Sequence, residues 1–443
     1  MLSQADAELV RHDPAIPGLR LLLDPVAFAR KVKELWPQLR LEKIEPRWLR
    51  YEAGQWCLAS FRLTTTTATI RIYAKAYSRD AGVKLMQAKT DNHYAAGDGG
   101  MSARILSDFG IIIYAFPNDG QLVALSHIRD PDRRYDLLRS LLPTQPDCWH
   151  GTLELIRYRP EEALLARLNV AGQPRAIIKL LSPEHYLLSQ EQPQYRQPPM
   201  QEGVVTAELI GTSDEHHARA YTYLKGVPLN KLLSGDARYA DKGVERAAEA
   251  LARLHRRSIA DFSELAIKSR VDEIEEVRAQ AARLRHLSPL LKAPATQLAD
   301  VLIEQLQRHP EARTLSHGHF IDRHILIGNQ TTGIADLDEI YIGDANSDIG
   351  YFIAHLERHV LRGKLTAAQA KKYRGIFLRA YGETPAERVE LYTAIGLFKM
   401  ASNPFQYREA EWLQQITALL KRARRIMINI DENDLLNAAT AFH

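Results

Sequence analysis

Residues 315–357 hold the most informative part of the sequence, which reads LSHGHFIDRHILIGNQTTGIADLDEIYIGDANSDIGYFIAHLE. This stretch opens with a polar turn at residues 317–324 that contains three histidines. A short apolar strand follows at 325–327, and glycines bracket the next turn at 328–333. A strand, a turn and a second strand in this order predict a small hairpin with polar residues at its ends.

The second strand of this hairpin delivers three acidic side chains to one end, namely Asp336, Asp338 and Glu339. Asp336 and Asp338 are two residues apart, so they would share a face of a strand. Carboxylate oxygens are ligands that Mg²⁺ prefers, and this makes both residues candidate magnesium ligands. Asp344 and Asp348 follow and precede an apolar helix. Asp348 is predicted to hold the preceding polar turn by hydrogen bonds.

The order of these residues resembles a known family, the aminoglycoside phosphotransferase and choline kinase branch of the protein-kinase-like fold. Its members read roughly H-G-D-x-x-x-x-N, then I-D-x-D, then G-D-x-x-x-D. The matching positions here are His317, Gly318, Ile325, Leu326, Asp336, Asp338, Gly343, Asp344, Asp348 and Gly350. Three further segments resemble the family: AAEALARLH at 247–255, Gly-Val-Pro-Leu at 226–229 and Asn-Pro-Phe at 403–405. The resemblance covers about residues 150–425.

The resemblance implies an α+β, protein-kinase-like two-lobe fold with a mainly helical C-lobe, and it implies ATP and Mg²⁺ as cofactors. In such proteins a lysine on the third strand of the N-lobe grips the nucleotide phosphates. Lys179 is the residue that the resemblance places there. The metal positions are Asp336, His324 and Asp338, and the expected substrate is a small hydroxylated molecule.

The chain departs from the family pattern at both polar positions of the catalytic loop. His319 stands where the family has its catalytic Asp, and His324 stands where it has a metal-binding Asn. An imidazole, with an ordinary pKa of about 6.5, can accept a proton at neutral pH but is a poor ligand for Mg²⁺. His319 is therefore the candidate catalytic base, and Asp322 on the same turn is the replacement candidate.

The expected phosphate loop also departs from the pattern. No glycine lies between Arg157 and Arg167, so backbone amides there cannot approach a phosphate as a Gly-rich turn allows. Two functions consequently stay open. The first is an ATP-dependent phosphotransferase, and the second is a pseudokinase that acts as a nucleotide-binding or regulatory module.

An internal repeat organises the first half of the chain. Arg50 begins RYEAGQWCLASFRLTTTTATIRIYAKAY, and Arg157 begins RYRPEEALLARLNVAGQPRAIIKLL. Each copy predicts three strands with a lysine on the third, Lys75 in the first copy and Lys179 in the second. The predicted domains are an N-terminal extension at 1–45, a degenerate N-lobe-like repeat at 46–149, an N-lobe at 150–225 and a helical C-lobe at 226–443. The extra repeat is a possible docking surface for a protein partner.

Helical periodicity dominates the second half of the chain. Val244, Ala247, Leu251 and Leu254 share one helical face, and so do Trp412, Ile416, Leu419 and Ala423. Two short motifs are interpreted as structural. The first is Asp108-Phe109-Gly110, which lies upstream of the second repeat. The second is the pair of His355 and His359, whose spacing lacks the carboxylate position of a zinc protease.

Composition limits the remaining classes. The 443 residues carry a net charge of +4, which gives no concentrated basic footprint for nucleic acid. The densest apolar run, at 109–116, is far shorter than the ~18 residues of a membrane span. Only two cysteines, Cys57 and Cys148, are present, which is typical of a reducing compartment. The sequence predicts a cytoplasmic protein that acts on a small molecule, with no membrane or nucleic-acid partner.

Overall fold

The computed structural model describes residues 2–81, 97–191, 203–262 and 264–440. The chain forms two compact units. The first unit comprises Met1–Leu188, Leu209–Thr222 and Asn403–Leu413, and the second comprises Ser189–Glu208, Tyr223–Ser402 and Gln414–His443. A segment late in the sequence therefore belongs to the unit that the N-terminal half builds.

The first unit begins with helices and continues with a five-stranded antiparallel sheet. The helices are α1 (Gln4–His12), α2 (Leu19–Leu23) and α3 (Pro25–Leu35). The strands are β1 (Leu41–Glu52), β2 (Trp56–Thr65), β3 (Thr69–Tyr77), β4 (Arg104–Leu106) and β5 (Ile111–Ala115). Their order in the sheet is β1-β2-β3-β5-β4. Strand β1 runs across the predicted boundary at residue 45.

A second five-stranded sheet repeats this arrangement within the same unit. Helix α4 (Pro131–Leu141) leads into β6 (Thr152–Arg159), β7 (Ala163–Val170) and β8 (Gln173–Leu181), and α5 (Pro183–Glu191) follows. Strands β10 (Leu209–Ser213) and β11 (Ala218–Thr222) complete the order β10-β11-β8-β7-β6. Both sheets thus place three consecutive strands, which the internal repeat predicts, beside a pair in reversed order, which it does not. Lys75 and Lys179 lie on equivalent third strands.

The second unit is mainly helical. Its longer helices are α7 (Ala237–His255), α8 (Arg270–Leu287), α9 (Pro289–Arg308), α10 (Ala345–Leu361), α11 (Ala367–Tyr381) and α12 (Ala386–Lys399), and α6 (Leu229–Leu232) is a single turn. Helix α13 (Asn403–Gln406) lies in the first unit, and α14 (Trp412–Thr440) returns the chain to the second. The predicted α+β, kinase-like fold class is confirmed.

Short strands of the second unit position the candidate site. Strands β9 (Val204–Thr206), β12 (Val227–Pro228), β14 (Ile325–Ile327) and β15 (Thr332–Ile334) form one small sheet. Strands β13 (Thr314–Ser316) and β16 (Tyr341–Gly343) pair separately. The predicted hairpin is the antiparallel pair β14–β15, with Ile325 opposite Ile334.

Burial follows the predicted periodicities. In β3 the alternate residues Ile70, Ile72, Ala74 and Ala76 are buried. The predicted helical stripes of α7 and α14 are buried as well, and so is the face that Phe28, Val32 and Trp36 share. Among the described residues, no helix combines the length and apolar character that a membrane span needs.

Candidate active site

The candidate catalytic loop, residues 317–324, follows β13, and one buried carboxylate accepts hydrogen bonds from its backbone. Asp348, in the first turn of α10, accepts hydrogen bonds from the backbone nitrogens of His317 (2.6 Å) and Gly318 (2.9 Å). Nε2 of His255 lies 3.0 Å from the same carboxylate. Burial alone would raise the pKa of Asp348, but these hydrogen bonds hold it below its ordinary value. Asp348 therefore has the structural role that the sequence predicts.

His317 is fully buried, and both of its ring nitrogens form hydrogen bonds with backbone atoms. Its Nδ1 accepts a hydrogen bond from the backbone nitrogen of His319 (3.2 Å), and its Nε2 donates to the carbonyl oxygen of Ala335 (3.1 Å). One ring nitrogen accepts while the other donates, so the ring is neutral. Burial lowers the pKa of His317, which agrees with this state.

His319 lies beside a carboxylate that the sequence analysis did not select as its partner. Nδ1 of His319 is 3.5 Å from Oε2 of Glu339, and the two side chains are 27% and 67% exposed. Gly318 makes this approach possible, because a Cβ at that position would come within 2.2 Å of the carbonyl oxygen of Glu339. Its φ of +82° is also in the left-handed region, where glycine carries no steric penalty.

His324 is buried and neutral by its hydrogen-bond geometry. Nδ1 donates to the carbonyl oxygen of His319 (3.1 Å), and Nε2 accepts from Nε of Arg323 (3.2 Å). An arginine can only donate, so Nε2 of His324 carries no proton. Burial lowers the pKa of His324 well below its ordinary value. Oδ2 of Asp336 lies 3.4 Å from the same Nε2.

Asp322 does not face solvent as a base would. Its buried carboxylate accepts a hydrogen bond of 2.6 Å from Nε2 of His359 on α10. Burial alone would raise the pKa of Asp322, yet the contact with His359 lowers it overall. The same helix carries His355, whose pKa burial lowers to about 3, and Tyr351, whose ring lies 5.4 Å from that of His319. Asp322 stays a predicted replacement base, although in the structure its carboxylate is hydrogen-bonded to His359.

One of the predicted metal residues, His324, does not fit a magnesium ion, while Asp336 and Asp338 stay predicted ligands. Mg²⁺ requires oxygen ligands in near-octahedral geometry, whereas His324 offers an imidazole nitrogen that already accepts from Arg323. Asp338 lies in the 3₁₀ turn Leu337–Glu339, after Asp336 in left-handed backbone with φ of +63°. Within the described ranges, no group of three or more histidine, cysteine or acidic residues is arranged to hold a metal ion.

The two repeat lysines have different surroundings in the first unit. Lys75 forms an ion pair with Glu161, and its Nζ lies 4.8 Å from the ring centre of Trp56. Glu161 stands in the turn between β6 and β7, which is the glycine-free hairpin that the sequence singles out. Burial raises the pKa of Glu161 despite this lysine. Lys179 lies on β8 opposite Leu165 and Arg219, and its assignment to nucleotide stays a prediction.

The structure agrees with a structural role for two motifs, Asp108-Phe109-Gly110 and the pair of His355 and His359. Asp108 and Phe109 lie in a single 3₁₀ turn that Gly110 ends with a φ of +60°. His359 is occupied by Asp322, as described above. Sequence reasoning did not select Glu339 or Arg323 as site residues. Glu339 carried a signal, because it stands beside the acidic motif, whereas the contact of Arg323 with the ring of the adjacent His324 depends on side-chain geometry.

Part of the chain matches the model of a known protein family. Residues 187–391 match the model of the phosphotransferase enzyme family. The catalytic loop, the acidic hairpin and this match together define a kinase-like phosphotransferase fold. The predicted resemblance to the aminoglycoside phosphotransferase and choline kinase family is thereby confirmed.

Solved structures of low identity are also similar to the chain. A choline kinase from Cryptosporidium parvum Iowa II is 13% identical, with 69% of this chain and 98% of that chain covered and a TM-score of 0.47. The wild-type aminoglycoside 2′-phosphotransferase-IIIa in complex with GDP is 18% identical, with coverages of 66% and 97% and a TM-score of 0.43. A search of curated proteins gave no match.

Proposed function

We propose that this protein transfers the γ-phosphoryl group of ATP to a hydroxyl group of a small molecule, with His319 as the catalytic base. The pairing of His319 with Glu339 carries this proposal. A carboxylate at Nδ1 favours the tautomer with the proton on that atom, which leaves the lone pair of Nε2 ready to accept a proton. In the described part of the chain, Nε2 of His319 makes no hydrogen bond.

Side chains of the protein account for the proton and the charge in the phosphoryl transfer. The acceptor hydroxyl gives its proton to Nε2 of His319 as its oxygen bonds to the γ-phosphorus, and ADP leaves. His319 then carries a positive charge, which the negative charge of Glu339 stabilises. An aspartate base would go from negative to neutral in this step, whereas the histidine goes from neutral to positive, so only the histidine needs a neighbouring negative charge afterwards. Lys179 is the proposed contact for the nucleotide phosphates.

A turnover assay on purified protein tests the proposal. ADP release is measured with ATP and a panel of aminoglycosides, amino alcohols and water as acceptors. His319→Ala should lower the rate by ~10²–10⁴-fold, as expected for loss of a general base. Glu339→Gln should lower it by ~10-fold, because the neutral amide no longer stabilises the charged ring. Glu383→Gln, in an exposed loop, is the matched control. A wild-type rate that His319→Ala leaves unchanged would contradict the proposal and direct the search to Asp322.

A second function, a non-catalytic regulatory module, is favoured by the hairpin between β6 and β7. The carboxylate of Glu161 lies in this turn, where it pairs with Lys75. A negative group in a turn without glycine opposes the approach of nucleotide phosphates. This function predicts no ATP binding by calorimetry and no phosphoryl transfer at any pH. If the enzyme reading holds instead, Lys179→Ala should weaken ATP binding by ~1–3 kcal/mol while Lys75→Ala leaves it unchanged.

A further inference from the structure

One exposed arginine of the catalytic loop is held in place by a histidine. Nε of Arg323 donates to Nε2 of His324 at 3.2 Å, and His324 is itself fixed by its bond to the carbonyl oxygen of His319. In the part of the chain that the structure describes, the two terminal nitrogens of Arg323 make no hydrogen bond. A guanidinium fixed through Nε presents these terminal N–H groups as a fork, which matches the oxygens of a phosphate.

The Nε atom of this arginine approaches the ring nitrogen of His324, which is one of the predicted metal residues. Asp336 and Arg323 each approach the same atom, Nε2 of His324, at 3.4 and 3.2 Å. In the family pattern the residue at 324 and the carboxylate at 336 would share a cation. Here the imidazole is a neutral acceptor and its lone pair is already used by the arginine. The positive charge beside His324 therefore belongs to the chain itself.

We infer that Arg323 supplies the positive charge that a divalent cation would supply, and that this site binds nucleotide phosphates without a metal ion. The inference rests on the proposed function only because it assumes that a phosphate-bearing ligand binds at this loop. His324 acts through Arg323 and is a positioning residue, so it is not a metal ligand. Unlike nucleotide binding at an ordinary magnesium-dependent kinase site, nucleotide binding at this site does not weaken when a chelator removes Mg²⁺.

Calorimetry with two probes tests the inference on the full-length protein. ATP and inorganic tripolyphosphate are titrated in EDTA and, separately, in MgCl₂. We expect both probes to bind in EDTA, and we expect Mg²⁺ to change the ATP dissociation constant by less than about threefold. Arg323→Gln should weaken both probes by about 10- to 100-fold, the loss of charge-assisted hydrogen bonds to phosphate. Arg323→Lys should recover part of this loss, because the charge returns without the fork.

Two further variants separate the inference from its alternatives. His324→Phe keeps a ring of similar size but removes the hydrogen-bond acceptor for Arg323. Because Arg323 is then no longer fixed, ATP binding in EDTA should weaken by about three- to tenfold. Arg308→Gln, which removes an exposed arginine of α9, should leave both probes unchanged. ATP binding that requires Mg²⁺ and is insensitive to Arg323→Gln would overturn the inference, while the proposed phosphotransferase would stand.

The remaining outcomes are also distinct. Arg323-dependent binding in EDTA with no ADP release from any acceptor would support the inference and contradict the proposed catalysis. Absence of binding by either probe in EDTA would overturn the inference, and the ATP titration in MgCl₂ would then decide the proposed function by itself.

Discussion

Gly318 sets the distance between the catalytic loop and the acidic turn that follows the hairpin. A Cβ at this position would meet the carbonyl oxygen of Glu339 at 2.2 Å, so any other residue must push the two segments apart. Such a shift would separate His319 from Glu339, since Gly318 and His319 are adjacent. At the residue scale, a glycine in the left-handed region thus decides whether the proposed base has its partner.

Gly318→Ala should therefore cost more stability and activity than the left-handed backbone conformation alone would explain. Gly363→Ala is the matched control, because its φ of +67° is also left-handed but no atom lies within 4 Å of the added Cβ. Both variants pay ~1–2 kcal/mol for the left-handed backbone. Only Gly318→Ala should add a further loss in the free energy of unfolding and in ADP release. Equal losses for both variants, measured by urea unfolding, would show that the close approach is unimportant.

A second prediction at this scale concerns His355 and pH. Its pKa in the folded chain is about 3, against about 6.5 when unfolded. As the pH falls below about 6.5 the unfolded chain takes up a proton that the folded chain refuses, so stability is lost with acid. Burial lowers the pKa values of His317 and His324 in the same direction.

The free energy of unfolding should therefore fall between pH 7 and pH 5. His355→Phe keeps the ring that packs 5.1 Å from Tyr351 and removes the titrating group. Its pH slope should be shallower than that of the wild type by up to about 1.4 kcal/mol per pH unit. His286→Gln, on the exposed side of α8, is the control. Parallel slopes for wild type and His355→Phe would contradict the assignment.

At the scale of elements, helix α10 organises the catalytic loop along one face. Asp348, Tyr351, His355 and His359 recur at helical spacing. The first of them holds the backbone of the loop, the second packs against His319, and the last binds Asp322. One helix therefore fixes both ends of the turn that carries the proposed base.

Asp348→Asn tests this role of the helix. The carboxylate accepts two backbone hydrogen bonds and faces Nε2 of His255, whereas an amide would direct N–H groups toward donors. We expect a loss of ~3 kcal/mol in the free energy of unfolding, as for removal of one partner from a buried charged network. Asp300→Asn, exposed on α9, should change it by less than ~0.5 kcal/mol. Wild-type stability in Asp348→Asn would rule out the bracing role.

At the scale of the whole molecule, residues 403–413 return to the N-terminal unit and close it. Both terminal nitrogens of Arg408 donate to the carboxylate of Asp6, at 3.0 and 2.8 Å, and Nε1 of Trp412 donates to it at 3.1 Å. The two charged side chains are 9% and 5% exposed. Helix α1 is thus tied to a segment near the other end of the chain.

Asp6→Asn should destabilise the first unit, because it leaves the buried Arg408 without its counter-charge. The expected cost is ~3 kcal/mol. Faster hydrogen exchange of amides in β1–β3 would report it, with little change in α7 of the second unit. Glu34→Gln, which alters an exposed ion pair on α3, is the control and should change exchange by little. Uniform acceleration in both units would contradict a role confined to the first.

Sequence spacing alone was enough to predict the resemblance to a family, the hairpin motif and the repeat. Each of these depends on spacing along the chain: apolar alternation in β3, the order of His317, Gly318 and Asp336, and two lysines on equivalent strands. Local spacing constrains local backbone structure directly, which is why these predictions agree with the fold. His324 is different, because spacing could not show that Arg323 already uses its ring nitrogen.

Only the tertiary structure decided which polar groups satisfy each other. Asp322 pairs with a histidine 37 residues later, and Asp6 with an arginine 402 residues later. A buried charge requires a partner, but sequence spacing does not identify which distant side chain will reach it. The same reason applies to His319 and Glu339, whose separation depends on how closely two loops pack at Gly318. Residue types therefore determine which chemistry each side chain can perform, and the packing of the fold determines which other side chain it contacts.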